Sequence, residues 1–257
     1  MKQLIFLFFS LFLVWNADAQ SSPSHLYTQN SNAWLMYIGD HKFSKDWGVH
    51  LEIQWRRNEF LSNPQQLLLR TGLNYHLNNQ VMATAGYCFV ETYPYGAFPV
   101  KVAFPESRFW EQLQIKNQLN RFEWISRFRF EQRFTNNPAL NVSTNLYEPG
   151  DAVYTNRFRL LNRFSIPFKG KVITDRSFYL SAYDEFFINF GKNVATNIFD
   201  QNRAYLALGY KFPKIGRLEI GYLYQTVNKP DGIKIEQNHT FQFGLSSTLD
   251  FYKSKKN

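Results

Sequence analysis

Residues 121–134, RFEWISRFRFEQRF, alternate with a period of two. Phe122, Trp124, Phe128, Phe130 and Phe134 share one parity, and Arg121, Glu123, Arg127, Arg129, Glu131 and Arg133 share the other. Alternation this strict puts the two sets on opposite faces of a β-strand. A soluble sheet would bury the aromatic face and wet the charged one. An outer-membrane barrel would turn the aromatic face to lipid and the charged face to its lumen.

The same period recurs along the chain. Trp47, Val49, Leu51, Ile53 and Trp55 alternate with Gly48, His50, Glu52, Gln54 and Arg56. Leu67, Leu69, Leu73, Tyr75 and Leu77 oppose Arg70, Gly72, Asn74 and His76, and residues 81–91 return with Thr84, Gly86 and Cys88 inward. Residues 109–119 alternate less cleanly, because Glu111 falls on the apolar parity of Phe109, Leu113 and Ile115; a bulge or a rim position would absorb it. Further strands are predicted over 157–168, 178–188, 203–212, 218–224 and 239–251. Each matches the roughly 9–11 residues that a tilted strand needs to cross a bilayer.

The connections alternate in length. Short ones are expected at Asn78-Asn79, whose Asn residues tolerate positive φ, at Asn120-Arg121, around Lys169-Gly170 and over 213–216. Longer ones are expected over 58–65, 93–107, 135–153, 191–200 and 227–236. Short turns at one rim and long loops at the other are the pattern of outer-membrane barrels. Ten strands from Trp47 to Phe251 satisfy it, with the C-terminus periplasmic. Residues 33–39, AWLMYIG, add another strand, and a weak one over 26–29 would restore an even number. The fold class expected is therefore all-β: a transmembrane, antiparallel, up-and-down β-barrel of about twelve strands, with ten as the alternative.

The N-terminus supports export. Lys2, the apolar run over 4–15 and Ala17-Asp18-Ala19 read as a signal peptide over 1–19. That divides the chain into the leader, an N-terminal extension over 20–31, a barrel domain over 32–252 and a periplasmic tail over 253–257. Aromatic residues make up 18% of a chain whose overall hydropathy is slightly polar, as expected when each lipid-facing residue is averaged with a polar neighbour. The net charge is +9, and the Arg residues alternate singly with apolar ones and do not cluster in runs. That pattern argues against nucleic-acid binding and for lumen lining and contact with lipopolysaccharide. The location expected is the outer membrane of a Gram-negative bacterium. The partners expected are outer-membrane lipid, lipopolysaccharide and the barrel-assembly machinery, which Phe251 and Tyr252 would signal. Cys88 excludes an intrachain disulfide because it is the single cysteine.

Seven short motifs follow one another in order. They are Glu111-Gln112, Arg127-x-Arg129-x-Glu131-Gln132-Arg133-Phe134, Asn156-Arg157-x-Arg159, Tyr183-x-Glu185-x-Phe187-x-Asn189, Gln201-Asn202-Arg203, Gly209-Tyr210 and Gly221-Tyr222. In this order and spacing the chain resembles the domain-of-unknown-function 2490 family, from about Trp34 to Phe251. The resemblance implies an exported β-barrel of the outer membrane and no established activity.

The strongest candidate constellation is the interior charge set Glu123, Arg127, Arg129, Glu131, Arg133, Arg157, Arg159, Arg163, Glu185 and Arg203. Residues 129–133 and 157–163 flank one long loop on adjacent strands, about 4.8 Å apart, so their inward side chains meet across the ladder. Two readings follow: Arg–Glu pairs that stitch a narrow lumen, or a constricted channel for small, anionic solutes. The alternative from another class is an outer-membrane lipid hydrolase of the phospholipase kind. It would need a nucleophile beside a histidine, and His239 lies on the lipid parity roughly 23 Å along its strand from Ser246. No catalytic residue, metal set or cofactor motif is assigned.

Overall fold

The computed structural model describes residues 25–251. The expected signal peptide and tail lie outside the described residues. The wall strands are β1 (Leu26–Lys42), β2 (Trp47–Asn58), β3 (Asn63–His76), β4 (Val81–Thr92), β5 (Phe104–Leu119) and β6 (Phe122–Thr135). After a small hairpin, β7 (Pro138–Asn141) and β8 (Leu146–Pro149), come β9 (Val153–Pro167), β10 (Ser177–Phe190), β11 (Phe199–Phe212), β12 (Gly216–Asn228) and β13 (Lys234–Ser247). Apart from the separate β7–β8 hairpin, the strands form one closed barrel, in the order β1-β13-β12-β11-β10-β9-β6-β5-β4-β3-β2, and every neighbouring pair but one is antiparallel.

The barrel has eleven strands, which corrects both twelve and ten. It is also not wholly antiparallel: β1 pairs with β13 in parallel, Leu26 beside Lys234 and Gly39 beside Ser247. An odd wall cannot close otherwise, since its first and last strands run the same way. Residues 26–29 and 33–39 form one strand, so the wall begins at Leu26 and takes in part of the expected extension.

One rim carries the connections 59–62, 93–103, 136–152, 191–198 and 229–233, and the other carries 43–46, 77–80, 120–121, 168–176 and 213–215. The expected asymmetry holds except at 59–62, which is short, and 168–176, which is long. Asn120 turns the chain at φ 55°. Asn78 works differently from the expected positive φ: its side-chain oxygen accepts the N–H groups of Gln80 and Val81 at 2.8 and 2.9 Å. Glu111 needs no bulge, because the registers of β5 with β4 and β6 run unbroken past it. It lies mid-strand on the outer face and accepts Gln132 Nε2 at 3.4 Å.

Polarity is inverted across the wall. Leu51, Ile53, Trp55, Leu69 and Leu73 are exposed, while the residues between them, Glu52, Gln54 and Arg70, are buried inside. The outer aromatics of β6 pack on those of neighbouring strands, Trp124 stacked on Phe164 at 5.8 Å and Phe134 against Tyr154 at 5.1 Å. Inside are two small apolar clusters, one of Trp34, Tyr205, Ala207 and Leu223, the other of Leu68, Cys88, Val90 and Trp110. Cys88 is thus a small packing residue on an inner face. Charged side chains, interspersed with neutral amides and hydroxyls, fill the remaining lumen.

Candidate functional site

Adjacent strands β6 and β9 build the centre of the charged lumen. Their register sets Glu131 opposite Arg157 and Arg129 opposite Arg159. The first pair is complementary. The second is two cations, and they separate by reaching in different directions. Arg159 donates to Glu131 at 2.8 Å and to Glu185 of β10 at 3.0 and 2.8 Å. Arg129 turns to Gln112 of β5 at 2.9 and 2.6 Å, with its guanidinium 4.7 Å from the Trp110 ring.

Glu131 is fully buried and is the hub. Arg157 donates to it at 2.9 and 2.6 Å, and Arg70 of β3 reaches it across the lumen at 3.1 Å. Glu185 also takes Arg127 at 2.7 Å, with Arg203 of β11 at 3.8 Å. Arg70 links onward to Glu52 at 2.5 Å, and Glu52 to His50 at 3.4 Å, whose other ring nitrogen meets Asp40 at 2.7 Å. A belt of charge thus crosses the barrel at mid-height.

The remaining predicted residues stand apart from this hub. Arg133 binds Glu106 with Arg108, nearer the long-loop rim. Glu123 takes Arg217 of β12 and Lys116. Arg163 pairs with Glu219, which Tyr179 also reaches at 2.7 Å. The partners Glu52, Arg70, Glu106, Arg108, Asp200, Arg217 and Glu219 were not among the predicted site residues. Inward parity was the available signal for Glu52, Arg70 and Glu219, whereas Glu106 lay in a stretch read as loop.

Above the belt, a cavity of about 280 Å³ opens at the long-loop rim. Seven Arg and Lys229 line it, against Glu106 and Asp200. The 93–103 loop folds inward over it, and Tyr95 donates to Glu236 of β13 at 3.0 Å. Burial, with the Glu236 charge beside it, pushes the Tyr95 hydroxyl far above its usual range. Lys229 completes this clasp at 2.5 Å from Glu236.

The profile of a family described as Protein of unknown function (DUF2490) matches residues 31–238. The chain belongs to the DUF2490 family. The match begins in β1 and ends in β13, so it runs through every strand of the barrel. No curated protein and no solved structure matches the chain.

On the outer face of this DUF2490 barrel, His239 Nδ1 is hydrogen-bonded with Tyr222 Oη at 2.5 Å, and its ring packs against Tyr224. Among the described residues no serine or threonine hydroxyl bonds a histidine side chain, the arrangement that a histidine-activated nucleophile requires.

Proposed function

We propose that this DUF2490 protein is a membrane-spanning barrel of the Gram-negative outer membrane, closed at mid-height by its ion-pair belt and bearing a cationic vestibule at the long-loop rim. The inverted polarity of the wall carries this reading. Large exposed side chains such as Phe109 (55%), Leu206 (59%) and Phe241 (53%) coat the outside, and Arg and Glu fill the inside. Water penalises such an outer surface, whereas hydrocarbon accepts it, and only helices or closed barrels span hydrocarbon without unpaired backbone groups. The leader expected over 1–19 supports export, and lipid, lipopolysaccharide and the assembly machinery are the partners this location supplies.

The belt argues for a lumen closed to bulk flow. Glu131, Arg129, Trp110 and Phe187 are buried almost completely inside the barrel. Any passage is restricted to small anions exchanging between guanidinium groups. The test is migration in a detergent gel with and without heating, together with cell fractionation. A folded, faster-migrating form recovered with outer membranes is expected. Recovery only in the soluble periplasmic fraction would overturn the reading.

A further inference from the structure

The belt and the cavity above it hold nine guanidinium groups, those of Arg56, Arg70, Arg108, Arg127, Arg129, Arg133, Arg157, Arg159 and Arg203. Six carboxylates oppose them: Asp40, Glu52, Glu106, Glu131, Glu185 and Asp200. The excess of positive charge sits at identifiable residues. Arg56 donates only to Gln54 and Gln66, and no carboxylate among the described residues pairs with it. Arg203 comes no nearer than 3.8 Å to Glu185, and its Nε is buried without a partner. Both guanidiniums stand by the ring of Trp34, at 4.0 and 5.2 Å, and both line the cavity. Uncompensated buried cations are costly, and a bound anion removes the cost.

Apolar side chains line the cavity as well. Phe98 and Val100 of the inward-folded loop face it with Phe104 and Val227. Lys234 Nζ lies 5.6 Å from the Phe98 ring. The volume lies at the small end of ligand pockets, which run from ~300 Å³ upward. We infer that the cavity is a binding site for a small organic phosphate dianion with a compact aromatic or apolar body. Its head sits on the guanidinium forks of Arg56 and Arg203, which match phosphate oxygens in pairs. Its body lies under Phe98 and Val100. Inorganic phosphate fills only the floor of the site.

The site's failure and the barrel's failure are separable, because heat-dependent gel migration reports the fold on the samples used for binding. The experiment is calorimetric titration of the full chain, refolded in zwitterionic detergent, with phenyl phosphate, inorganic phosphate and phenol. Phenyl phosphate is expected to bind about tenfold or more tightly than inorganic phosphate, the contribution of burying one ring, and phenol not at all. Arg56→Gln should weaken both anions by about tenfold or more. Phe98→Ala, on a loop the wall does not need, should abolish the preference for phenyl phosphate and leave inorganic phosphate unchanged. Absence of binding by both anions, equal binding of the two, or an unaltered preference in Phe98→Ala would each overturn the assignment.

Discussion

Arg157 gives both Nε and Nη2 to one oxygen of Glu131, at 2.9 and 2.6 Å, and sends Nη1 to Asp200 at 2.8 Å. The other Glu131 oxygen receives Arg159 and Arg70 at 2.8 and 3.1 Å. One carboxylate thus ties together strands β3, β6 and β9. Glu131→Gln removes a buried charge that three guanidiniums share and leaves each with one carboxylate, Arg70 with Glu52, Arg157 with Asp200 and Arg159 with Glu185. A loss of about 3–5 kcal/mol is expected in urea unfolding from lipid. Lys116→Gln, which frees Glu123 of a half-exposed partner, should cost under about 1 kcal/mol.

Conductance follows from the same belt. The wild-type barrel in a planar bilayer should show no stable openings. Paired removal of Arg159→Ala and Glu185→Ala takes out a strut between adjacent strands and should produce openings that favour anions, measured as a reversal-potential shift in a salt gradient. Frequent wild-type openings would show that the belt is not a closure.

Parallel pairing of β1 with β13 sets the topology. Leu26 and Lys234 begin their strands at the long-loop rim, and Ser247 ends at the other. An epitope placed just ahead of Leu26 should be labelled on intact cells, and one after Phe251 only after permeabilisation. Labelling of both from the same side would contradict the parallel seam.

Backbone crowding distinguishes two inward glycines. A Cβ at Gly86 would run into the Thr71 carbonyl and the Gly72 Cα, whereas one at Gly244 would meet open space. Gly86→Ala should cost about 1–3 kcal/mol, and Gly244→Ala about 0.5 kcal/mol or less, in the same unfolding assay.

The Tyr95–Glu236 hydrogen bond holds the 93–103 loop over the cavity. Tyr95→Phe should loosen the loop by about 1.5–3 kcal/mol, read as faster proteolysis within it while the wall stays intact. The folded hydroxyl titrates above its unfolded value of about 10, so its contribution is complete below that pH and is lost as pH rises beyond it. Loop protection should therefore hold through neutral pH and fail only in alkali.

Most of the wall was legible because burial and exposure alternate strand by strand. On β6 the sequence parity and the inner face coincide at Glu123, Arg127, Arg129, Glu131 and Arg133. The strand count was not, because residues 28–32, TQNSN, are polar on both parities. Their inner members are satisfied by particular side chains, Asn30 by Asn238 and Asn32 by Asn58, which no local period announces. Ion pairing was legible only between neighbours. Glu131 and Arg157 face each other across one ladder, but Glu123 finds Arg217 94 positions away on β12.

The closing seam also fixes an order of events in time. Synthesis delivers β1 first and β13 last, and residues that pair between them, such as Asn30 and Asn238, lie 208 positions apart. Until those edges register, each presents a row of unpaired N–H and C=O groups, and the contact of longest range in the molecule is still to be made. The charges of the lumen have no interior until that moment, because an open sheet leaves them in water. Zipping of the seam and desolvation of the belt are therefore a single late step, and a barrel caught before it would carry all of its strands and none of its interior.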